Sequence, residues 1–241
     1  MVPDPDAEVS ARIRINLYLG PFPAGRGRPF CYGYHMADAK IIEGADVTAI
    51  ADWIEVRLRR ALDACEGPVA ICVPGGSTPF PILECLVRRD LEFTRLQVWP
   101  GDDRIVAEDN SASNTGKLRA LLEPVGAQVV GLDMAARPPH FALTWLGMGG
   151  DGHIASLFPN TDPQMDDPQA VRRLTPDPLP PEAPYDRITL TIPALLNSDE
   201  VLFVIRGDDK RAVFDAALNG EHDLPIARLL AAANLPVTCF T

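Results

Sequence analysis

The sequence has few basic residues for its length. Its 241 residues include 22 Lys and Arg against 33 Asp and Glu, which gives a formal net charge of −11. A nucleic-acid-binding protein needs a basic surface to neutralise phosphates, so we expect no nucleic-acid partner. A small anionic ligand remains compatible with this charge, provided that the few basic side chains lie where the ligand binds.

Long apolar runs are absent as well. No stretch of about 18 uncharged apolar residues occurs, so we expect no transmembrane helix and no membrane partner. The chain has 46 % hydrophobic and 23 % charged residues, which is the balance of an ordinary globular protein. Its length suits one large α/β domain, or at most two small ones.

The five cysteines form no C-x-x-C pair, and their number is odd. Cys65, Cys72 and Cys85 lie in apolar runs, so we predict small buried side chains rather than disulfides, zinc ligands or a nucleophile. This pattern suits a reducing compartment, and we expect the protein to be cytoplasmic.

Proline, in contrast, is abundant, with 24 residues, about twice the average usage. The prolines cluster in the first 30 residues and between Pro159 and Pro184, where we expect irregular chain. The N-terminal segment lacks the apolar run of a secretory signal and is too acidic for a transit peptide. We therefore expect an N-terminal extension over residues 1–40 and a single α/β domain over residues 41–241.

From Asp46 onward, helical and strand-like patterns alternate. Asp46 is predicted to cap a helix that extends to about Cys65. Strands are predicted at Val69–Val73, Leu96–Trp99, Gln128–Leu132, Phe141–Leu146, Ile188–Ile192, Val201–Ile205 and Val237–Phe240. Further helices are predicted at Pro81–Arg89, Asn114–Glu123 and Asp209–Leu218. This alternation indicates a mainly parallel sheet with helices on both faces.

Three polar loops follow apolar strands: Gly75-Gly76-Ser77-Thr78, Asp102-Asp103-Arg104, and Gly147 to His153. The carboxyl ends of parallel strands form the edge of the sheet where ligands bind. In the first loop, glycines let backbone N–H groups approach an anion, and two hydroxyls lie at a helix N-terminus. A plain capped turn is the alternative. The loop is not a Walker A motif, because the Gly-Lys-Ser/Thr ending is missing.

The third loop contains Asp151 and His153, two residues apart, so both side chains can reach one cleft. Such a histidine can accept a proton from water, and a neighbouring carboxylate can orient it. An N-capping aspartate beside a surface histidine is the alternative. The spacing of Gly147, Gly149 and Gly152 matches a dinucleotide fingerprint, but no second strand ending in an acid follows. No second histidine has ligand spacing, and we expect neither a metal nor a cofactor.

Basic residues complete the candidate site. Arg104 lies beside Asp102 and Asp103, of which we expect only one to face the cleft because adjacent residues of extended chain point to opposite sides. Arg187 begins a predicted strand. Lys210 lies in the first turn of a predicted helix. A cation there interacts unfavourably with the helix dipole unless an anion binds nearby. Solvated surface charges are the alternative.

Together these segments resemble the 6-phosphogluconolactonase family. The resemblance rests on Gly75–Pro79, Asp102–Arg104 with Ser113-Asn114 downstream, Leu146–Pro159, Arg187–Thr191 and Gly207–Lys210, in this order over about residues 40 to 240. It implies a three-layer α/β/α Rossmann-like domain of the sugar-phosphate isomerase/deaminase type. It also implies hydrolysis of 6-phospho-D-glucono-1,5-lactone to 6-phospho-D-gluconate, in the oxidative pentose phosphate pathway, without metal.

The resemblance assigns His153 and Asp151 to catalysis. It assigns ten residues to substrate binding: Gly75, Gly76, Ser77, Thr78, Asp102, Arg104, Gly149, Gly150, Arg187 and Lys210. The expected partner is a small phosphorylated sugar lactone, and the expected assembly is a monomer or a small homo-oligomer.

The chain also departs from the family pattern. Asp103 stands where the family has glutamate, and the stretch between Glu123 and Phe141 is short enough to lack a helix. Two alternatives remain. A glucosamine-6-phosphate deaminase is disfavoured because Leu157–Pro159 replaces an Asn-Glu-Pro ending. A sugar-phosphate-binding protein without turnover is disfavoured because His153 is retained beside Asp151.

Overall fold

The computed structural model describes residues 39–179 and 184–241. Residues 1–38, which include Cys31 and nearly all of the N-terminal extension expected over residues 1–40, lie outside the described residues. Within the described ranges, no helix is long and apolar enough to span a membrane.

Strands and helices alternate along the described chain. The strands are β1 (Ala39–Ile42), β2 (Val69–Val73), β3 (Leu96–Pro100), β4 (Asp102–Arg104), β5 (Gln128–Val129), β6 (Leu143–Leu146), β7 (Val171–Leu174), β8 (Arg187–Leu190), β9 (Val201–Val204) and β10 (Val237–Phe240). The α-helices are α1 (Val47–Ala64), α2 (Pro79–Leu86), α3 (Asn114–Leu122), α4 (Ile192–Leu195), α5 (Asp208–Leu218) and α6 (Pro225–Ala232).

Seven strands form one parallel sheet in the order β1-β10-β9-β6-β2-β3-β5. From β2 the chain moves outward through β3 to β5. It then returns to the other side of β2 through β6 and continues outward through β9 and β10. The winding direction therefore reverses between β2 and β6. Ligands of open α/β sheets bind outside the carboxyl ends of the strands at such a reversal.

Alternate side chains of the central strands enter two separate cores. On β2, Val69, Ile71 and Val73 belong to one core, while Ala70 and Cys72 belong to the other. Successive strand residues point to opposite faces, so the cores lie on the two sides of the sheet. The first core includes side chains of α1, α2 and α3, and the second those of α4, α5 and α6. This confirms the predicted α/β/α layers.

A second, antiparallel sheet was not predicted. It has the order β4-β8-β7. The Asp102-Asp103-Arg104 segment, interpreted as a loop, is the short strand β4, and it pairs with β8 so that Arg104 lies opposite Arg187. Strand β7 was missed because its Val171-Arg172-Arg173-Leu174 sequence is half charged and lies in the proline-rich segment.

Two local predictions have different outcomes. Asp46 caps α1 as predicted, because its Oδ1 accepts a hydrogen bond from the Ala49 N–H at 2.8 Å. The prediction that Cys65 is buried is wrong: it follows the last residue of α1 as the C-cap and is exposed. Cys72 is buried and Cys85 is partly buried.

Candidate active site

A cavity of about 300 Å³ opens beyond the carboxyl ends of β2 and β6, where the winding of the sheet reverses. Segments that follow β2, β6 and β9 contribute to its wall, together with residues of β4. The wall includes nine of the residues assigned from the sequence: Gly75, Gly76, Ser77, Thr78, Asp102, Arg104, Gly149, His153 and Lys210.

The glycine loop packs closely against another part of the wall. A Cβ atom on Gly75 would lie 2.1 Å from Oδ1 of Asn114, so a larger residue would push the Asn114 side chain away. Asn114 in turn donates from Nδ2 to the backbone oxygen of Asp102 at 2.9 Å. Asn114 therefore joins the loop after β2 to strand β4.

His153 and Asp151 form a hydrogen-bonded pair. The Nδ1 atom of His153 lies 2.5 Å from Oδ1 of Asp151, and this bond holds the pKa of Asp151 below its usual range. An ionised carboxylate only accepts hydrogen bonds, so Nδ1 carries the hydrogen. In the neutral imidazole, Nε2 is then the unprotonated nitrogen. The pair is therefore arranged for His153 to act as a base.

Two neighbours restrict the His153 ring. The ring of Phe158 packs against it, with the ring centres 4.8 Å apart. On another side lies Gly149, where an added Cβ would come within 2.2 Å of the ring atoms Cε1 and Nδ1. The absence of a side chain at Gly149 thus leaves the space that the imidazole occupies.

The two aspartates of β4 make different contacts. This is expected for adjacent residues of extended chain, whose side chains point to opposite sides. Asp102 contributes to the cavity wall and accepts a short hydrogen bond from the Ser156 hydroxyl. Asp103 instead accepts from the backbone N–H groups of Asn114 at 2.6 Å and Thr115 at 2.9 Å. The shorter carboxylate at position 103 therefore caps the start of α3.

Three assigned residues do not belong to the cavity wall. Asp151 reaches the site through its bond to His153. Gly150 is exposed beside it. Arg187 is only 3 % exposed and donates from Nη1 to the backbone oxygen of Tyr185 at 2.7 Å, and burial lowers its pKa. Arg187 thus lies opposite Arg104 on the neighbouring strand and is not among the wall residues.

On the β9 side, the wall contains Lys210 and Arg206. Lys210 lies in the first turn of α5, where Asp208 and Asp209 complement the helix dipole. Arg206 follows β9 and precedes Gly207, whose φ of 99° reaches the left-handed region that favours glycine. Together with Arg104, this gives the wall three cationic side chains.

The described residues contain no group of three or more His, Cys, Asp or Glu side chains that could hold a metal ion.

Comparisons with known proteins match most of the described chain. The family model described as "Glucosamine-6-phosphate isomerases/6-phosphogluconolactonase" matches residues 44–137 and 125–237. A Pseudomonas aeruginosa protein named 6-phosphogluconolactonase is 36 % identical over 200 residues, which are 73 % of this chain and 83 % of that protein. A Pseudomonas putida protein of the same name is 33 % identical over 220 residues, 82 % of this chain and 88 % of its own length.

The chain belongs to the glucosamine-6-phosphate isomerase/6-phosphogluconolactonase family. A solved structure of a 6-phosphogluconolactonase from Shewanella baltica has the same fold, with a TM-score of 0.73 and 26 % identity. The match covers 85 % of this chain and 98 % of that one. The resemblance inferred from the sequence motifs is thereby confirmed.

Among the wall residues to which the sequence pattern gives no role are Asn114 and Arg206. Asn114 follows Asp102–Arg104, but its contact with Gly75 joins segments that are far apart in sequence. The signal for Arg206 is its position shortly after an apolar strand, which is the signal that identifies the other loops.

Asp102 should make stability depend on pH. Burial raises its pKa above the ordinary value of 3.8, so above pH 3.8 the folded chain binds more protons than the unfolded chain. The free energy of unfolding then falls as pH rises towards the folded-state pKa, by at most about 1.4 kcal/mol per pH unit for one group. The Asp102→Asn variant has no carboxyl group at this position, so we expect the pH-dependent contribution of Asp102 to the free energy of unfolding to vanish.

Urea unfolding of wild type and Asp102→Asn at several pH values between 4.5 and 8 measures the effect. The unfolding free energy of the variant minus that of the wild type should increase with pH. A difference that stays constant or decreases would show that burial does not control the ionisation of Asp102.

Proposed function

We propose that this chain is a 6-phosphogluconolactonase, which hydrolyses 6-phospho-D-glucono-1,5-lactone to 6-phospho-D-gluconate with His153 as the general base. The observation that carries the proposal is the bond between His153 Nδ1 and Asp151, at the wall of a cavity with three cationic side chains. The relatives named 6-phosphogluconolactonase support the same reaction.

The first step is activation of water. Nε2 of neutral His153 accepts a proton from a water molecule as the water oxygen attacks the lactone carbonyl carbon. Proton uptake makes the imidazole cationic, and the Asp151 carboxylate lies in contact with it. The low pKa of Asp151 keeps that carboxylate ionised, so it stabilises the cation and preserves the ring orientation.

Attack produces a tetrahedral intermediate with a negatively charged oxygen. Arg104 is a candidate to stabilise it, since it lies in the cavity wall and its guanidinium has five N–H donors. Its Nη1 bonds to the backbone oxygen of Ala112 at 2.9 Å, which leaves other donors of the planar fork for a ligand oxygen. Other backbone N–H groups of the loop from Gly147 to His153 are the second candidate, since that of Gly149 already donates to the backbone oxygen of His153 at 2.9 Å.

Collapse of the intermediate opens the ring. The bond between the carbonyl carbon and the ring oxygen breaks, and His153 returns its proton to that oxygen. Water has then added across the ester bond and the base is regenerated. The lactone carries its own leaving group and an already reactive carbonyl, so the mechanism requires neither a metal nor a covalent enzyme intermediate.

The 6-phosphate would bind near Gly75–Thr78 and Lys210. Backbone amides and hydroxyls of the loop would donate hydrogen bonds to its oxygens, and the ammonium group would offset its charge. This places the phosphate among the few cations of an acidic chain.

A proton-release assay tests the proposal. Freshly generated 6-phosphogluconolactone is added at constant pH, and the titrant needed to neutralise the acid product is recorded with and without protein. We expect hydrolysis well above the spontaneous rate. Binding of 6-phosphogluconate without acceleration would instead support a sugar-phosphate-binding protein and would refute the enzymatic proposal.

A further inference from the structure

The β9 side of the cavity wall holds a cation that the motifs did not identify. Arg206 contributes to this wall with Lys210, four residues later. Arg187, the arginine assigned to substrate binding from the sequence, is almost fully buried and is not among the wall residues. Arg206 is therefore a cation of the cavity wall that the sequence motifs do not include.

Arg206 is held from one side by the protein. Its Nη2 donates to the backbone oxygen of Ala45, just before α1, at 2.9 Å. Its side chain is otherwise exposed at the cavity. An arginine guanidinium has five N–H donors in a planar fork, so one bond to a carbonyl leaves donors for a second acceptor.

The N-terminus of helix α2, which contributes Pro79 to the cavity wall, has fewer backbone N–H donors than most helix N-termini. Helix α2 begins with Pro79 and has a second proline at position 81. Proline has no backbone N–H, so two of the first three residues of α2 cannot donate to an anion. A phosphate bound at this end of the cavity therefore depends more on side-chain cations.

The cations of the wall divide into two positions. Arg104 lies on β4, where its Nη1 donates to the backbone oxygen of Ala112 at 2.9 Å, near Asp102. Arg206 and Lys210 follow β9, and two strands, β6 and β2, separate β9 from β3, the strand that leads into β4. One group can face the reacting lactone carbonyl while the other faces a charge at the far end of the substrate.

We propose that Arg206 binds the substrate phosphate together with Lys210 and that it makes the site selective for phosphorylated lactones. This inference rests on the proposed function, because it names the part of the site that recognises the phosphate. A phosphomonoester carries a charge of about −1.5 to −2 near pH 7, which two cations match. Paired N–H donors of arginine suit phosphate oxygens.

The test compares two substrates in Arg206→Gln. We expect kcat/KM for 6-phosphogluconolactone to fall about tenfold to a hundredfold, mainly because KM rises. This is the effect expected from the loss of one charge-assisted hydrogen bond. Hydrolysis of unphosphorylated glucono-1,5-lactone should stay within about twofold of wild type. Arg206→Lys should recover part of the loss, since it keeps the charge but not the fork.

Arg60→Gln is the matched control, because it removes one arginine charge from an exposed position on α1 outside the cavity. It should leave both substrates unaffected. If Arg206→Gln lowers activity on both lactones equally, its role is structural, through Ala45, and the inference is overturned. Unchanged kinetics on the phosphorylated lactone would overturn it as well.

Calorimetric titration with 6-phosphogluconate and with gluconate separates this inference from the proposed reaction. If the wild type hydrolyses neither lactone, the proposed function fails, but titration still tests Arg206. A loss of 6-phosphogluconate affinity in Arg206→Gln of about tenfold or more supports a phosphate-binding role. Equal affinity in wild type and variant contradicts it.

Discussion

Replacing His153 by alanine is expected to lower kcat for 6-phosphogluconolactone hydrolysis by about a hundredfold to ten-thousandfold, the usual contribution of a positioned general base. The variant loses the nitrogen that accepts the proton from water and the group that returns it to the ring oxygen. Affinity for 6-phosphogluconate should change little, because the proposed phosphate-binding groups lie in other segments of the wall. Proton-release kinetics and calorimetric titration give the two values.

His140→Ala is the control for this experiment. His140 is also hydrogen-bonded to an aspartate, with Nε2 2.8 Å from Oδ1 of Asp199, but it is exposed and lies outside the cavity. We expect its kcat to remain close to wild type. If His153→Ala also retained near-normal kcat, the base would have to be another residue of the wall.

Two strands with neighbours on both sides could be predicted closely from the sequence. Val69–Val73 and Val237–Phe240 have the predicted bounds, because continuous apolar runs of this length mark strands that are covered on both faces. The meeting of the glycine loop with the His153 loop follows from the same prediction. Both loops leave the carboxyl ends of parallel strands, which lie at one edge of the sheet.

The position of Arg187 shows where pattern reasoning ends. The sequence predicts that it begins a strand, and it does. That strand, however, is the middle one of a small antiparallel sheet, where Arg187 lies opposite Arg104, is almost fully buried and is not among the wall residues. Which sheet a strand joins depends on contacts between distant segments, which periodicity alone does not contain.

The helix α6 was missed for a related reason. It has only eight residues, begins at Pro225, and buries Ile226, Leu229 and Leu230. A mostly apolar segment of only about two turns is too short for its periodicity to separate a helix from a strand. Its position matters for the site, because the N–H of Ile226 donates to the backbone oxygen of Gly152 at 3.1 Å, directly before His153.

Gly149→Ala should lower kcat by about a hundredfold, the cost of displacing a catalytic group by about 1 Å. The new Cβ would lie 2.2 Å from two atoms of the His153 ring and 2.6 Å from Oδ1 of Asp151. Contacts this short cannot persist, so the imidazole must move out of its position between Asp151 and Phe158. Steady-state kinetics measures the loss, and thermal unfolding checks that the fold is retained.

Gly147→Ala is a contrasting variant in the same loop. Its Cβ would meet Pro74 at 3.9 Å, an ordinary van der Waals distance, so we expect a loss of less than about tenfold. The decisive comparison combines Gly149→Ala with His153→Ala. If Gly149 acts only by leaving space for the imidazole, the double variant should be no slower than His153→Ala alone. A further hundredfold loss would mean that the added methyl group disturbs more of the site than the imidazole, and it would contradict the role of Gly149 as space for His153.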